Sequence, residues 1–163
     1  MDADQLVALL KQLSFTAGLS DDLLAKVAGL ATVSEVPSGA ILFREGSHHD
    51  QLLIVAQGRI ALDMRVPGRG EVRVLSLGRG DVAAWSALIG NARMTTSATA
   101  LEDSRVVSIQ ARQLLALCEA NHTLGYHLMR QLGLALASRL VATRLQLLDL
   151  FADNSLPAPL GSA

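Results

Sequence analysis

Few side chains in this sequence have both the type and the neighbours that chemistry requires. Ser86 carries a candidate nucleophilic hydroxyl, but Ala84 and Leu88 stand where a Gly-x-Ser-x-Gly elbow needs its glycines, so hydrolysis is not indicated. His48 and His49 are adjacent and their side chains diverge. With no cysteine or acidic cluster at ligand spacing, no metal site is expected. His122 and His127 open a leucine-rich stretch, where packing or titration is a simpler role than coordination. The single cysteine, Cys118, cannot form an internal disulfide and reads as a small buried hydrophobe in a reducing compartment, which points to the cytoplasm. The expectation is a protein that is not an enzyme and carries no cofactor.

Charge excludes further classes. Fourteen basic side chains oppose 15 acidic ones for a formal charge of −1. No Lys/Arg block supplies the electrostatic footprint of a nucleic-acid binder. The first residues, Met1-Asp2-Ala3-Asp4, are acidic where a secretory leader is basic, and no apolar run reaches the ~18 residues that span a bilayer. Neither nucleic acid nor membrane is expected as a partner.

The elements that position these residues follow from periodicity. Half of the 163 residues are hydrophobic, enough for one packed core. Leu6, Val7, Leu9, Leu10 and Leu13 recur at helical spacing, and Ser20 with Asp21-Asp22 caps a second helix carrying Leu23, Leu24, Val27 and Leu30. From Thr32 the pattern becomes short β-type runs: Thr32–Val36, Ile41–Arg44, Leu52–Gln57, Ile60–Val66, Glu71–Leu77, Ser97–Ala100 and Arg105–Ile109. Glycines fall between the runs, and Pro67-Gly68-Arg69-Gly70 marks a hairpin tip. Some seven or eight strands at this spacing predict a barrel or sandwich over about 32–109.

After Ile109 the period is helical again, over about 111–152, ending in a proline-free segment from about Asn121 to Ala152, roughly 45 Å long. Met129, Leu132, Leu136, Leu140, Thr143, Leu147 and Leu150 form one apolar row, and Leu134, Ser138, Val141, Leu145 and Leu148 a second. One row can cover the barrel; the other needs a partner, and a homodimer paired along this helix is the economical solution. The first row is taken for the dimer contact, with the choice between the two rows left open. A helix buried on all sides in one larger domain is the alternative. Residues 1–153 are read as one domain and 154–163, rich in Pro, Ser, Gly and Ala, as a flexible tail.

Several runs, in order, resemble the cyclic-nucleotide-binding domain family. Val36-Pro37-Ser38-Gly39-Ala40-Ile41-Leu42-Phe43-Arg44-Glu45-Gly46 and Leu52-Leu53-Ile54-Val55-Ala56-Gln57-Gly58-Arg59-Ile60 resemble its opening strands. Leu77-Gly78-Arg79-Gly80-Asp81-Val82 and Ala100-Leu101-Glu102-Asp103-Ser104 resemble the corners that flank its ligand cassette. The resemblance implies an α+β, mainly β fold: an eight-stranded β-roll of jelly-roll type, with two N-terminal helices and a long C-terminal dimerisation helix. The chain resembles the sensing half of catabolite-activator-type bacterial regulators. The winged helix-turn-helix those regulators carry after the dimer helix is not expected here.

The resemblance also implies a site. Family members hold the cyclic phosphate on backbone N–H groups of a short helix and on an arginine, and the ribose on a glutamate. Here the cassette runs through Ala84, Trp85, Ser86 and Ala87 to Arg93, Met94, Thr95, Thr96 and Ser97, the candidate ligand-binding residues. Trp85 stands at the glutamate position and Met94 at the arginine position, with Arg93 one residue early. An indole donates one hydrogen bond and accepts none, so ordinary cyclic AMP binding is not implied. Two functions remain open. One is a regulatory sensor domain for a cyclic nucleotide or another small anionic ligand. The other is an interaction or assembly module for an unidentified protein partner, its pocket closed by Trp85.

Overall fold

The computed structural model describes residues 1–154, and the expected tail from residue 155 onward lies outside them. Helix α1 (Ala3–Lys11) starts on a capping box: Asp2 accepts from the Gln5 N–H at 2.8 Å, and the Gln5 side chain accepts from the Asp2 N–H at 3.1 Å. Ser20 caps α2 (Asp21–Ala28) through the Leu23 N–H. Arg79 ties this helical pair to the roll, donating to the Ala56 carbonyl and to the Gln12 side chain.

Eight antiparallel strands follow. They are β1 (Ala31–Val36), β2 (Ile41–Phe43), β3 (Gln51–Gln57), β4 (Ile60–Val66), β5 (Gly70–Leu77), β6 (Val82–Ala83), β7 (Ser97–Ala100) and β8 (Ser104–Gln110). One sheet runs β1-β8-β3-β6 and the other β2-β7-β4-β5, so the fold is an α+β, mainly β roll. The predicted strands match to within a residue or two at their ends. The two-residue β6 carries too little pattern to be seen, and it leads into the four-residue helix α3 (Ser86–Ile89).

Strand β3 shows why the sequence there is continuously apolar. Leu52, Ile54 and Ala56 face the helices, while Leu53 and Val55 face the interior of the roll. Alternate side chains point to opposite faces, and here both faces are covered. Two cores result. One lies between this sheet and the helices, and the other lies inside the roll around Ile60, Leu77, Ala98 and Val106. At the β3–β4 corner Gly58 has φ +90°, and a Cβ there would lie 2.2 Å from the Ser104 Oγ and 2.7 Å from its Cα, so only glycine fits.

Helix α4 (Ala111–Ala120) ends at Asn121, whose side chain accepts from the Leu124 N–H at 3.0 Å and so begins α5 (His122–Asn154). The 33 residues of α5 span about 50 Å. Its two ends differ. Leu124, Leu128 and Leu132 are buried in the helical core, with Met129 and Leu136 packed against it. This corrects part of the expected dimer row: Met129, Leu132 and Leu136 are turned into the chain's own helical core, where the first turns of α5 pack against α4. Leu140 and Thr143 border a cavity in the roll, but Leu140 is also more than half exposed, and Leu140, Leu147 and Leu150 are what this row leaves on the exposed end. The second row stays outside, with Leu134, Val141, Leu145 and Leu148 all more than half exposed.

Candidate functional site

A cavity of about 340 Å³ opens between the roll interior and α5. Phe43, Leu62, Met64, Val74 and Leu75 form its β-sheet wall, Ala84, Trp85 and Ser86 one corner, and Met94, Thr95 and Thr96 another. Leu136, Arg139, Leu140 and Thr143 of α5 form the lid side. The lining is mostly apolar, with few polar groups converging on it, which is the usual construction of a small-molecule site.

Most of the cassette expected to bind ligand comes together here. Ala84 sits at φ +57°, a conformation that L side chains rarely adopt, and this turns the chain sharply from β6 into α3. The N–H groups of Trp85 and Ser86 have no partner among the described residues and remain available as donors. The Ala87 N–H is spent on the Ala84 carbonyl, and Ala87 does not line the cavity. The Ser86 hydroxyl donates to the Arg93 carbonyl at 3.0 Å, stapling the cassette loop shut.

Arg93 itself is exposed and lies outside the cavity wall; its backbone pairs with His48 instead. Ser97 is likewise off the wall, accepting from the Glu45 N–H at 2.9 Å. Met94 is buried and faces the cavity, fixed by backbone bonds to Ser47 and Gly46. Thr95 and Thr96 line it, and their hydroxyls have no partner among the described residues. Trp85 is partly buried, packs against the helical core and borders the cavity, which stays open beside it.

The cation at this site comes from elsewhere. Arg139 of α5 lines the cavity and donates to the Val82 carbonyl of β6. Burial pushes its guanidinium below the usual arginine range, and the charge of Asp81 works in the opposite direction. Arginine stays protonated through such shifts, so the group remains a cation. The Asp81 carboxylate is engaged by the Gly78 N–H at 2.8 Å and makes no ion pair with Arg139. The signal was present in the sequence: Arg139 follows Leu136 by three residues and precedes Thr143 by four, on the same helical face.

The histidines divide. His48 is exposed, whereas His49 packs on Phe43 with ring centroids 5.3 Å apart. Burial lowers the pKa of His49; the charge of Asp50 opposes this and that of His48 adds to it. Among the described residues, no group of three His, Cys, Asp or Glu is placed to hold a metal ion, and no helix is long and apolar enough to cross a membrane.

With this roll, cassette corner and terminal helix in place, residues 33–121 match the family model of the cyclic nucleotide-binding domain. The chain belongs to that family, as a cyclic-nucleotide-binding-like β-roll of the kind found in regulatory proteins. It is 29% identical over 99 residues to isozyme 1 of the cGMP-dependent protein kinase of Drosophila melanogaster, matching 58% of this chain but 13% of that relative's length. A solved protein of Geobacter metallireducens GS-15, named for cyclic-nucleotide binding, is 28% identical with a TM-score of 0.71, covering 86% of this chain and 98% of the other. The catabolite activator protein of Thermus thermophilus shares the fold, with 24% identity and a TM-score of 0.68 over 88% of this chain and 63% of its own.

Proposed function

We propose that this domain is a non-enzymatic sensor of a small anionic ligand, dimeric through the exposed end of α5. A cytoplasmic setting fits its single reduced thiol. The observation that carries the reading is the open cavity beside Trp85, bounded on one side by α5. A ligand there touches the same helix whose far end exposes Val141, Leu145 and Leu148, so occupancy can bias how two such helices meet. The pocket is atypical for its family. Trp85 and Met94 replace the carboxylate and the guanidinium that the family resemblance assigns to ribose and phosphate, so cyclic AMP is not bound in the usual way. On this reading residues 1–153 act as one unit.

Trp85 is the only tryptophan in the chain, and its emission reports on its own pocket. Titration with cyclic AMP, cyclic GMP, cyclic dinucleotides and inorganic phosphate, with the melting temperature followed in parallel, tests the sensor. Silence from every small anion tried, organic carboxylates included, returns the function to the protein's exterior, as an assembly module. Light scattering at micromolar concentration tests pairing, and a strict monomer defeats it.

A further inference from the structure

The chemistry of the cavity narrows the ligand class. Among the described residues that line it, Arg139 alone is charged, and a guanidinium has five N–H donors, of which these residues engage one, on the Val82 carbonyl. No lining residue is a carboxylate that could accept from ribose hydroxyls. The Ser86 and Thr143 hydroxyls are spent on the carbonyls of Arg93 and Arg139, which leaves Thr95 and Thr96 as free hydroxyls. The remaining wall is aliphatic, aromatic and thioether surface. A sugar placed there loses its hydrogen bonds to water without replacing them.

Charge balance points the same way. One guanidinium neutralises one negative charge and presents a planar fork that matches a carboxylate in two parallel hydrogen bonds. Inorganic phosphate or a phosphate monoester, as a dianion, carries a surplus charge into an apolar cavity with no second cation to meet it; a cyclic phosphodiester carries a single charge and is disfavoured by its sugar rather than by its charge. Size is compatible with a small organic molecule: 340 Å³ lies near the lower end of ligand pockets, about 300–1,000 Å³.

Building on the pocket reading above, we infer that the ligand is an apolar organic carboxylate whose charge is taken by Arg139 and whose body lies against Trp85, Met94 and Leu62. Charge recognition has moved from the cassette, where Met94 now stands, to the long helix. Binding then pulls on α5 directly.

The test uses 4-phenylbutyrate and its neutral primary amide, which match in size and differ in charge, beside cyclic AMP and inorganic phosphate. Affinities come from calorimetry and from Trp85 emission. The wild-type protein is expected to bind the acid about tenfold or more tighter than the amide, the usual weight of a charge-assisted pair. Arg139→Gln is expected to abolish that preference while still binding the amide, and Arg139→Lys to retain part of it. Melting curves of both variants without ligand establish that they fold. Equal affinity for acid and amide overturns the role of Arg139 and leaves the pocket standing. A preference that survives Arg139→Gln, or cyclic AMP binding tighter than the acid, also overturns the inference. Binding by none of the four compounds overturns the inference, and the pocket reading falls with it when cyclic GMP and the cyclic dinucleotides are silent too.

Discussion

Along α5, the stretch from Leu124 to Leu136 and the stretch from Val141 to Phe151 are alike in their density of leucine, yet the first buries one face and the second leaves its leucines exposed. Leu124 and Leu128 are wholly buried, while Leu145, Leu148 and Phe151 expose 58%, 63% and 65% of their surface. No intrinsic preference of the side chains separates the two halves. The difference is what each half runs beside. Sheet and helices accompany the first, and the second extends past the roll, where the Gln146 side chain donating to the Val74 carbonyl is one of its few contacts with the β-sheet. Arg139 sits at the changeover, which is also where the cavity lies. An apolar row thus records a surface that seeks cover, while the length of the neighbouring structure decides whether the chain itself provides it.

The largest expected effect comes from breaking the covered half. Leu128→Ala removes a fully buried side chain between α5 and the helical core and is expected to cost about 2–5 kcal/mol, measured by denaturant unfolding. A loss below about 1 kcal/mol would mean that α5 is not held there as described.

Two glycines of the same helix sharpen the contrast. At Gly125 a Cβ would meet the Cys118 carbonyl at 3.0 Å, where α4 and α5 approach closely; at Gly133 it would meet nothing within 4 Å. Gly133→Ala is therefore expected to stabilise by up to about 1 kcal/mol through helix propensity, and Gly125→Ala to destabilise. Melting temperatures of the two variants moving in the same direction would contradict this placement.

In the uncovered half, the double variant Leu145→Glu with Leu148→Glu is expected to change intrinsic fold stability by no more than about 0.5 kcal/mol. Its effect belongs to assembly: light scattering should show the proposed dimer become a monomer, with the circular-dichroism spectrum of the roll retained. A variant that stays dimeric would move the interface off this face.

How much of this was legible depended on how many residues each feature spans. The strands from Ala31 to Gln110 announced themselves because alternation and interrupting glycines repeat over many residues. Val82–Ala83 is too short for any period, and its place in the sheet is set by pairing with Leu53 and Ile54. The cassette positions read through the family resemblance landed in the pocket for Ala84, Trp85, Ser86, Met94, Thr95 and Thr96. Arg93 did not follow, because the Ser86 hydroxyl holds its carbonyl inward while its side chain points outward to solvent. Arg139 was hidden by the opposite logic: an isolated charge in a leucine-rich helix reads as solvated, and only the packing of α5 over the roll turns it toward a cavity.

The smallest effect repeats the comparison at the scale of two neighbours, His48 exposed and His49 packed on Phe43. Burial disfavours the charged imidazole, so the folded-state pKa of His49 lies below its ordinary value near 6.5. In the window between the two values the unfolded chain binds more protons than the folded one, and stability rises with pH. The contribution of His49 is therefore whole above about pH 6.5 and is lost as the pH falls through the folded value. His49→Gln should flatten that part of the curve of melting temperature against pH, whereas His48→Gln, which removes only the smallest of the three causes, should flatten it less. Equal flattening by both would show that the packing on Phe43 does not set the titration.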